Sequence, residues 1–483
     1  MSVRIPGLLA AMLLLPSLSI GQGLPAGYST TTVTTGFNFA PSMTFAPDGR
    51  LFVCDRTNGE VHVVKDGVLD PTPWHDFTNV NGSSGSERGL LSQAVHPDFL
   101  NNGWMYFYYT NNESGATDNH VVRLTEAGGA ADPSSVTVIV NDIPSSSIHN
   151  SGQIAFGLDG KLYVTTGDKG TSSNGQNMNT LAGKMLRVND DGSIPSDNPF
   201  VGTGGREEIW ALGFRNHFGI AVHPVTGTVF TTENNPSNNG EVNRIIKGGN
   251  YGWNNVQGIS GNPSFIDPIW DMDPDPEPLG ATFYTGSNFD PGLTNSFFFI
   301  DWSGARLRMF VLTPPDISVA NEMIFHDYAG TGFDVENGPD GNLWVLRDNS
   351  SFSRGGDRVE VITYGAAPSP ALNLTAVTPM IIGGSLTIAV GAPAGSNSMV
   401  WVSAKALSPP LPTPWGSLSV DPTGAILLSM PPTPATGTNT AFLGVPVPAI
   451  DALQGAVIHA QGLAADPGFT SISLTNAVAQ TLR

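Results

Sequence analysis

The chain has 483 residues, with 21 lysines and arginines against 41 aspartates and glutamates, and a formal net charge of −20. This acidity argues against a nucleic-acid partner, because contact with the phosphate backbone needs clustered cations. The 57 glycines and 38 prolines, with 40% hydrophobic residues, are typical of a folded and turn-rich protein. The single cysteine, Cys54, excludes an intrachain disulfide.

Residues 1–22 combine one cation, Arg4, with a short apolar stretch and small residues at Ser19 and Gly21. This pattern predicts a secretory signal peptide, so we expect a secreted or periplasmic protein. No later stretch reaches the ~18 apolar residues that a membrane span needs.

A turn followed by an apolar strand recurs through the first three quarters of the chain. The pattern occupies residues 45–53, 96–106, 156–164, 222–230 and 338–345, and a weaker copy covers 293–301. The copies recur at intervals of about 57 residues or a multiple of it. Small antiparallel sheets that cannot bury both faces alone pack radially, which predicts an all-β, six-bladed β-propeller over residues 23–365. The alternative is a sandwich in which such turns recur by chance.

The composition changes beyond Tyr364, where Gly-Ala-Ala-Pro-Ser-Pro-Ala reads as a linker. Residues 366–483 contain short β-type runs between Pro and Gly turns and very few charges. They predict a small C-terminal β-sandwich-like domain, a binding or spacer module without residues for chemistry.

Two polar motifs in the propeller region could carry chemistry. His149 precedes a predicted strand and Asp168 follows it, so the two lie at opposite ends unless the chain returns. Arg215 and Asn216 follow a later apolar strand. An ordinary loop histidine and a surface arginine are the alternative interpretations.

Residues 232–253 combine carboxylates, amides and a backbone bent by Pro and Gly. Such oxygen-rich loops offer the hard ligands that calcium prefers. Asparagine turns that cap their own backbone are the alternative.

The order of the motifs resembles the glucose/sorbosone dehydrogenase family, which includes soluble quinoprotein glucose dehydrogenase, aldose sugar dehydrogenase and hedgehog-interacting-like proteins. The resemblance covers roughly residues 30–364. It is carried by Glu87-Arg-Gly-Leu-Leu, His96-Pro-Asp-Phe, His149-Asn-Ser-Gly, Thr166-Gly-Asp, Gly183-Lys-Met-Leu-Arg-Val-Asn, Gly213-Phe-Arg-Asn and Lys247-Gly-Gly-Asn-Tyr-Gly-Trp.

The resemblance implies a sugar dehydrogenase with pyrroloquinoline quinone in a cleft on one face of the propeller. His149 would then be the general base that takes the sugar hydroxyl proton, and Asp168 would orient it. Arg215 would bind the quinone oxygens, and Asn216 would contact the cofactor. Glu87 stands where the glucose enzyme has a glutamine beside the substrate.

The resemblance also implies calcium. The backbone carbonyls of Asn235 and Pro236 would hold the ion that polarises the quinone. Glu241 and Tyr251 match the positions of a second, structural calcium site.

Some positions depart from the family pattern. Ile148 replaces an aspartate before the catalytic histidine, and Ser303, Thr331 and Phe333 stand in the segments where cations bind the cofactor carboxylates in the glucose enzyme. Replacement cations could come from Arg306, Arg308, Lys169 or Arg354.

The sequence therefore predicts an exported, quinone- and calcium-dependent aldose dehydrogenase that passes electrons to an external acceptor. One alternative is a non-catalytic, calcium-stabilised scaffold, since Asp301-Trp-Ser-Gly-Ala-Arg306 is similar to the hedgehog-interacting-like branch. A propeller lactonase with a calcium-activated water is the other.

Overall fold

The computed structural model describes residues 23–365 apart from 26, 83–84, 113–116, 237–238, 273–276, 313–317, 329 and 349–355, and beyond 365 it describes strands by their backbone alone. The predicted signal peptide lies outside the described residues, as does the predicted linker beyond Gly365. Within the described residues, no helix has the length and apolar character needed to cross a membrane.

Six antiparallel sheets follow one another along the chain and form the blades of a propeller. The N-terminal strand, β1 (Tyr28–Phe37), belongs to the last blade. Blade 1 therefore begins with β2. Blade 1 holds β2 (Ser42–Phe45), β3 (Leu51–Cys54), β4 (Glu60–Lys65), β5 (Val68–Leu69) and β6 (His75–Asp76); blade 2 holds β7 (Leu90–Val95), β8 (Trp104–Asn111), β9 (Asp118–Ala127) and β10 (Ala130–Pro144); blade 3 holds β11 (Ser151–Phe156), β12 (Leu162–Thr166), β13 (Lys184–Val188) and β14 (Ile209–Leu212).

The second half of the propeller repeats this plan. Blade 4 holds β15 (His217–Val222), β16 (Val229–Asn235), β17 (Asn239–Arg244) and β18 (Trp270–Met272); blade 5 holds β19 (Pro278–Phe283), β20 (Phe297–Asp301), β21 (Arg306–Leu312) and β22 (Val319–Asp327); blade 6 holds β23 (Thr331–Asn337), β24 (Leu343–Asp348), β25 (Asp357–Tyr364) and β1. The described helices are a single turn, α1 (Phe99–Asn102), and short 3-10 segments at Ser172–Gln176 and Pro291–Leu293.

The first strands of the blades form a closed ring. Each of them contacts the first strand of the next blade, and β23 contacts β2. Blade 6 is completed by the N-terminal strand, because β1 pairs with β25 and places Tyr28 opposite Tyr364 and Phe37 opposite Asp357. The predicted six-bladed propeller is confirmed.

The repeated turn marks the same place in each blade, between its first and second strands. Gly49 connects β2 to β3, Gly160 connects β11 to β12, and Gly341 connects β23 to β24, each with positive φ. The weaker copy at 293–301 enters β20, the second strand of blade 5. Glycine occurs at these turns because the left-handed backbone carries no penalty without a Cβ.

The hydrophobic core lies mainly between neighbouring blades. Leu91 and Tyr108 of blade 2 pack with Ile154 and Val164 of blade 3. The sheets bury their faces against one another, so these faces offer no binding surface. The loops at the ends of the first strands remain accessible and can form a site.

Beyond residue 365 the described strands form antiparallel sheets of three, five and two strands, which confirms a β-rich C-terminal part. The first contains β26 (Leu372–Leu374), β27 (Ser385–Gly391) and β32 (Thr440–Pro446); the second contains β28 (Asn397–Ser403), β31 (Ile426–Met430), β33 (Val457–Ala465), β34 (Ile472–Leu474) and β35 (Val478–Thr481); the third contains β29 (Ala406–Thr413) and β30 (Gly416–Val420).

Candidate active site

A cavity of about 290 Å³ opens at the end of the ring where the first strands begin. This volume is near the lower end of the range for small-molecule sites, about 300–1,000 Å³. Its lining combines aromatic walls with charged groups, and consists of Phe39, Pro41, Arg56, Glu87, Leu91, His149, Ser151, Gln153, Arg215, Asn216, Phe218, Asn234, Glu277, Leu279, Gly280, Trp302 and Phe333.

The hairpin of β11 and β12 brings His149 and Asp168 together. β11 runs away from the cavity, the chain turns at Gly160, and β12 returns with Ser151 opposite Thr166. Of the two arrangements that the sequence left open, the structure therefore shows the one in which the chain returns, because the segment between the residues contains two strands.

The backbone at His149 is held in a left-handed conformation, with φ of 57°. Residues with a Cβ adopt this region rarely, and such strain persists only where neighbours fix it. Here the His149 carbonyl accepts a hydrogen bond from Lys169 N at 3.2 Å. Gly167 has no side chain because a Cβ there would overlap with the same carbonyl. The imidazole therefore projects from a fixed backbone.

The Asp168 carboxylate is buried and receives three hydrogen bonds. Its Oδ1 lies 2.6 Å from His149 Nδ1 and accepts a bond from Gly170 N at 2.7 Å. Its Oδ2 accepts a bond from Trp253 Nε1 at 2.8 Å. In a neutral imidazole that donates from Nδ1 to this carboxylate, Nε2 keeps its lone pair. This is the arrangement of a general base with an orienting carboxylate.

Arg215 contributes a guanidinium group to the same wall. Its Nη1 donates to the carbonyl of Asn234 at 2.7 Å, and its backbone N–H donates to Glu233 Oε1 at 2.6 Å. Burial lowers the pKa of Arg215, against the pull of nearby carboxylates that raises it. The group stays cationic near neutral pH and can stabilise negative charge in the cavity.

Glu87 and Asn216 are coupled to the His149 loop. Glu87 Oε2 accepts bonds from Asn150 N at 3.0 Å and from Asn216 Nδ2 at 3.3 Å. Asn216 Oδ1 in turn accepts from the backbone N–H and hydroxyl of Ser151. Both ends of the Asn216 amide are thus hydrogen bonded within the protein. Glu87 lines the cavity, and its Oε1 accepts no hydrogen bond from the described residues.

Two buried glutamates face each other just behind Arg215. Glu233 on β16 is directly opposite Glu241 on β17, and Asn243 Nδ2 donates to both, at 3.0 and 3.4 Å. Asn243 Oδ1 is buried and has no hydrogen-bond partner among the described residues. Burial raises the pKa of both glutamates, that of Glu241 to about 7. Facing carboxylates beside an unpaired amide oxygen suit a hard divalent cation such as calcium.

The other predicted calcium ligands lie around this pair. Asn235 and Pro236 directly follow Asn234, which lines the cavity, and the Asn235 side chain hydrogen bonds to Glu241. The Tyr251 hydroxyl is engaged with Arg244 O and Ile246 N. Only the backbone carbonyl of Tyr251 is therefore left for a metal.

The two segments in which the glucose enzyme has cations, around Ser303 and around Thr331 and Phe333, each place a residue in the cavity lining. Phe333 lines it with an apolar ring, and Trp302 lines it beside Ser303, whose hydroxyl accepts from Glu277 N at 3.1 Å. Thr331 Oγ1 is buried without a partner. These positions therefore supply aromatic surface and hydroxyl groups.

Arg306 and Arg308, two of the possible replacement cations, are engaged in blade 5. Arg306 pairs with Asp327 at 2.8 Å, and Arg308 pairs with Asp301 at 2.7 Å. Neither lines the cavity. Lys169 is exposed, and Arg354 lies outside the described residues.

Sequence reasoning missed Arg56 and Trp253, which contribute to this site. Arg56 lines the cavity just after β3, the second strand of its blade. Asp168 and Asn234 occupy corresponding places at the ends of β12 and β16. Reading the end of each second strand as a cavity position would have revealed Arg56.

The match to a known family covers this whole site. The Glucose / Sorbosone dehydrogenase family model matches residues 37–354. The chain is 30% identical over 263 residues to quinoprotein glucose dehydrogenase B of Acinetobacter calcoaceticus, covering 49% of this chain and 55% of that protein. It is 26% identical over 366 residues to aldose sugar dehydrogenase YliI of Escherichia coli K12, covering 70% of this chain and 95% of that one.

A solved structure has the same fold. The PQQ-bound form of aldose sugar dehydrogenase from Streptomyces coelicolor matches with a TM-score of 0.60 and 28% identity, over 71% of this chain and 99% of that one. Because the family model covers most of the propeller and every cavity residue, the chain belongs to the glucose/sorbosone dehydrogenase family of oxidoreductases.

Proposed function

We propose that the protein is an exported quinoprotein sugar dehydrogenase that oxidises an aldose hydroxyl with pyrroloquinoline quinone and calcium and passes the electrons to an external acceptor. The observation that carries this proposal is the contact of buried Asp168 with His149, which lines the cavity together with Arg215. When bound, the quinone supplies the carbon that accepts hydride from the sugar.

His149 is positioned to remove the hydroxyl proton as the hydride leaves the sugar carbon. Nε2 takes that proton, and Asp168 holds Nδ1–H and stabilises the resulting imidazolium. A base of this kind contributes typically 10²–10⁴-fold to the rate. Phe39, Phe218 and Phe333 give the cavity apolar walls beside His149.

The cavity suits a planar, anionic cofactor. Pyrroloquinoline quinone is flat and carries three carboxylates, and the cavity offers aromatic surface with guanidinium groups from Arg56 and Arg215. Arginine binds carboxylates through paired N–H donors. Arg215 would hold the quinone oxygens and offset the charge that develops there.

Calcium suits the oxygen cluster behind Arg215. Glu233, Glu241 and Asn243 would supply side-chain oxygens for the structural ion, with the Tyr251 carbonyl nearby in the chain. The carbonyls of Asn235 and Pro236 would hold the ion beside the quinone. The buried, unpaired Oδ1 of Asn243 is the observation that supports a cation here.

The test is reconstitution of the mature, full-length protein. Apoprotein loaded with pyrroloquinoline quinone and calcium should show bound-cofactor absorbance and should reduce a dye when an aldose is added. Omitting the quinone is the control. Absence of cofactor binding at micromolar quinone would contradict the proposal.

A non-catalytic scaffold is the second candidate, and the absence of cations at Ser303 and Phe333 favours it. A scaffold would keep calcium-dependent stability yet show no aldose oxidation in the same reconstitution. Lactone hydrolysis that needs calcium and no quinone would instead indicate a hydrolase.

A further inference from the structure

Arg56 places a buried guanidinium group in the cavity wall, and it forms no ion pair within the part of the chain that the structure describes. The residue is 8% exposed, and its Nη1 donates to the carbonyl of Ser86. Its Nε is buried and has no hydrogen-bond partner. No ion pair joins Arg56 to any carboxylate of the described residues.

The fold holds this side chain in place from two blades. The guanidinium carbon lies 3.8 Å above the ring of Phe39. The Arg56 backbone donates to Phe39 O at 3.1 Å and accepts from Leu90 N at 3.0 Å. Gly89, with φ of 138°, gives room for it, because a Cβ there would overlap with Arg56 Cγ. The guanidinium is therefore preorganised at the cavity.

The charge of this group is retained at neutral pH. Burial lowers the pKa of Arg56 to about 10, while Glu87 and Asp55 act in the opposite direction. Glu87 and Asp55 are thus near enough to favour the charge, but neither forms an ion pair with the guanidinium among the described residues, and a buried cation without a directly paired anion is unfavourable. An anionic ligand group in the cavity would supply the missing partner.

We infer that Arg56 binds a carboxylate of the ligand that occupies this cavity, which rests on the proposed function. In this arrangement Arg56 and Arg215 both face the ligand, and Arg56 performs the role left open at Ser303, Thr331 and Phe333. The carboxylate belongs either to the quinone cofactor or to an acidic sugar such as a uronic acid. Both present the same planar acceptor to the guanidinium.

The test is a titration of full-length apoprotein with pyrroloquinoline quinone, in which quenching of tryptophan fluorescence reports binding. Arg56→Gln should weaken quinone binding about 10- to 100-fold, since a hydrogen bond to a charged group is lost. Arg56→Lys, which keeps the charge and loses the paired donors, should fall between wild type and Arg56→Gln.

Arg123 provides a matched control. Its guanidinium carbon also lies 3.8 Å above a ring, that of Trp104, and its Nε is also buried without a partner. Arg123 does not line the cavity. Arg123→Gln should therefore bind the quinone like wild type, and thermal melts should show that each variant is folded.

The outcomes separate the sources of the carboxylate. Unchanged quinone affinity in Arg56→Gln, with a raised KM for glucuronate and an unchanged KM for glucose, would assign the carboxylate to the substrate. If Arg56→Gln changes neither the quinone affinity nor the KM for glucuronate or glucose, the inference is overturned and the proposed function stands. A wild type that binds no quinone would overturn both.

Discussion

Trp253 Nε1 lies 2.8 Å from Asp168 Oδ2, while the other oxygen of the same carboxylate lies 2.6 Å from His149 Nδ1. The indole comes from the long loop after β17, and Asp168 comes from blade 3. Trp253 also places its ring 5.8 Å from the guanidinium of Arg215. One side chain from blade 4 thus hydrogen bonds to the carboxylate that contacts His149 and also lies beside the guanidinium of Arg215.

Replacing this indole should reduce turnover without loss of the fold. Trp253→Phe removes one hydrogen bond to a buried carboxylate, so we expect kcat to fall about 10-fold while KM for the aldose changes little. Trp270→Phe is the control, because Trp270 Nε1 donates to Glu322 at the same 2.8 Å outside the cavity. Equal effects of the two changes on kcat would contradict a positioning role.

Substitution of the base and the cation should give different results. His149→Ala should lower kcat about 10²–10⁴-fold and leave quinone affinity nearly unchanged. Arg215→Ala should lower kcat, measured by dye reduction, and should also weaken quinone binding, measured by fluorescence titration. His120→Ala removes a comparable histidine–aspartate pair, 3.1 Å from Asp118, and should leave both values unchanged. If the scaffold alternative holds, none of these substitutions alters a reaction.

Calcium should stabilise the propeller, because it would offset two buried carboxylates. A ligand that binds only the native state adds about 2.7 kcal/mol at 100 times its Kd. A chelator should therefore lower the Tm of the wild type, and Glu241→Gln should be much less sensitive to it. Glu207→Gln, which changes a glutamate outside the cluster, should respond like wild type. No effect of the chelator on the wild-type Tm would remove the metal assignment.

The fold could be predicted because its signal is local. Each blade contains one recognisable turn, as at Gly49 and Gly160, and the residues that form the turn are neighbours in the sequence. The closure by β1 could not be predicted in this way, because Tyr28–Phe37 is a threonine-rich segment with no turn of its own. Its partner lies more than 300 residues away, at Asp357–Tyr364.

The candidate site was only partly predictable. His149, Asp168 and Arg215 belong to recognisable motifs; His149 and Arg215 line the cavity, and Asp168 contacts His149 from behind. Arg56 and Trp253 contribute through contacts with distant segments, so no short motif identifies their roles. The role of Arg56 depends on its position in the cavity wall, and that of Trp253 on its hydrogen bond to Asp168; both depend on the order of the strands.

Lys184 should give the stability a specific pH dependence. Its Nζ is buried, donates to Ala182 O at 2.7 Å and also donates to Asn174 O, and burial lowers its pKa to about 7. Between pH 7 and about 10 the unfolded chain binds the extra proton, so raising the pH stabilises the fold by up to about 1.4 kcal/mol per pH unit. Urea unfolding of Lys184→Met at pH 7, 8 and 9 should lack this contribution. Exposed Lys65→Met should retain it, and equal slopes in all three proteins would contradict the prediction.

We propose a domain boundary at Gly365, where the two ends of the propeller meet. Gly365 N donates to Gly27 O at 3.0 Å, next to the pairing of β1 with β25. A fragment of residues 23–365 should unfold cooperatively in urea, since its ring is complete. Aggregation of the fragment, relieved when residues 366–483 are restored, would show that the C-terminal part belongs to the propeller's packing.

The pairing of β1 with β25 also sets an order on how the protein is made. The ring cannot close during synthesis until Tyr364 has emerged, because the earliest propeller strand waits for one of the latest. Until then Phe37 lacks its contacts with Leu346 and Val359, and the apolar flank of blade 1 stays open to chaperones or to other nascent chains. A chain released before Asp357 would carry an unpaired edge strand at its N-terminal end, which favours pairing with other chains.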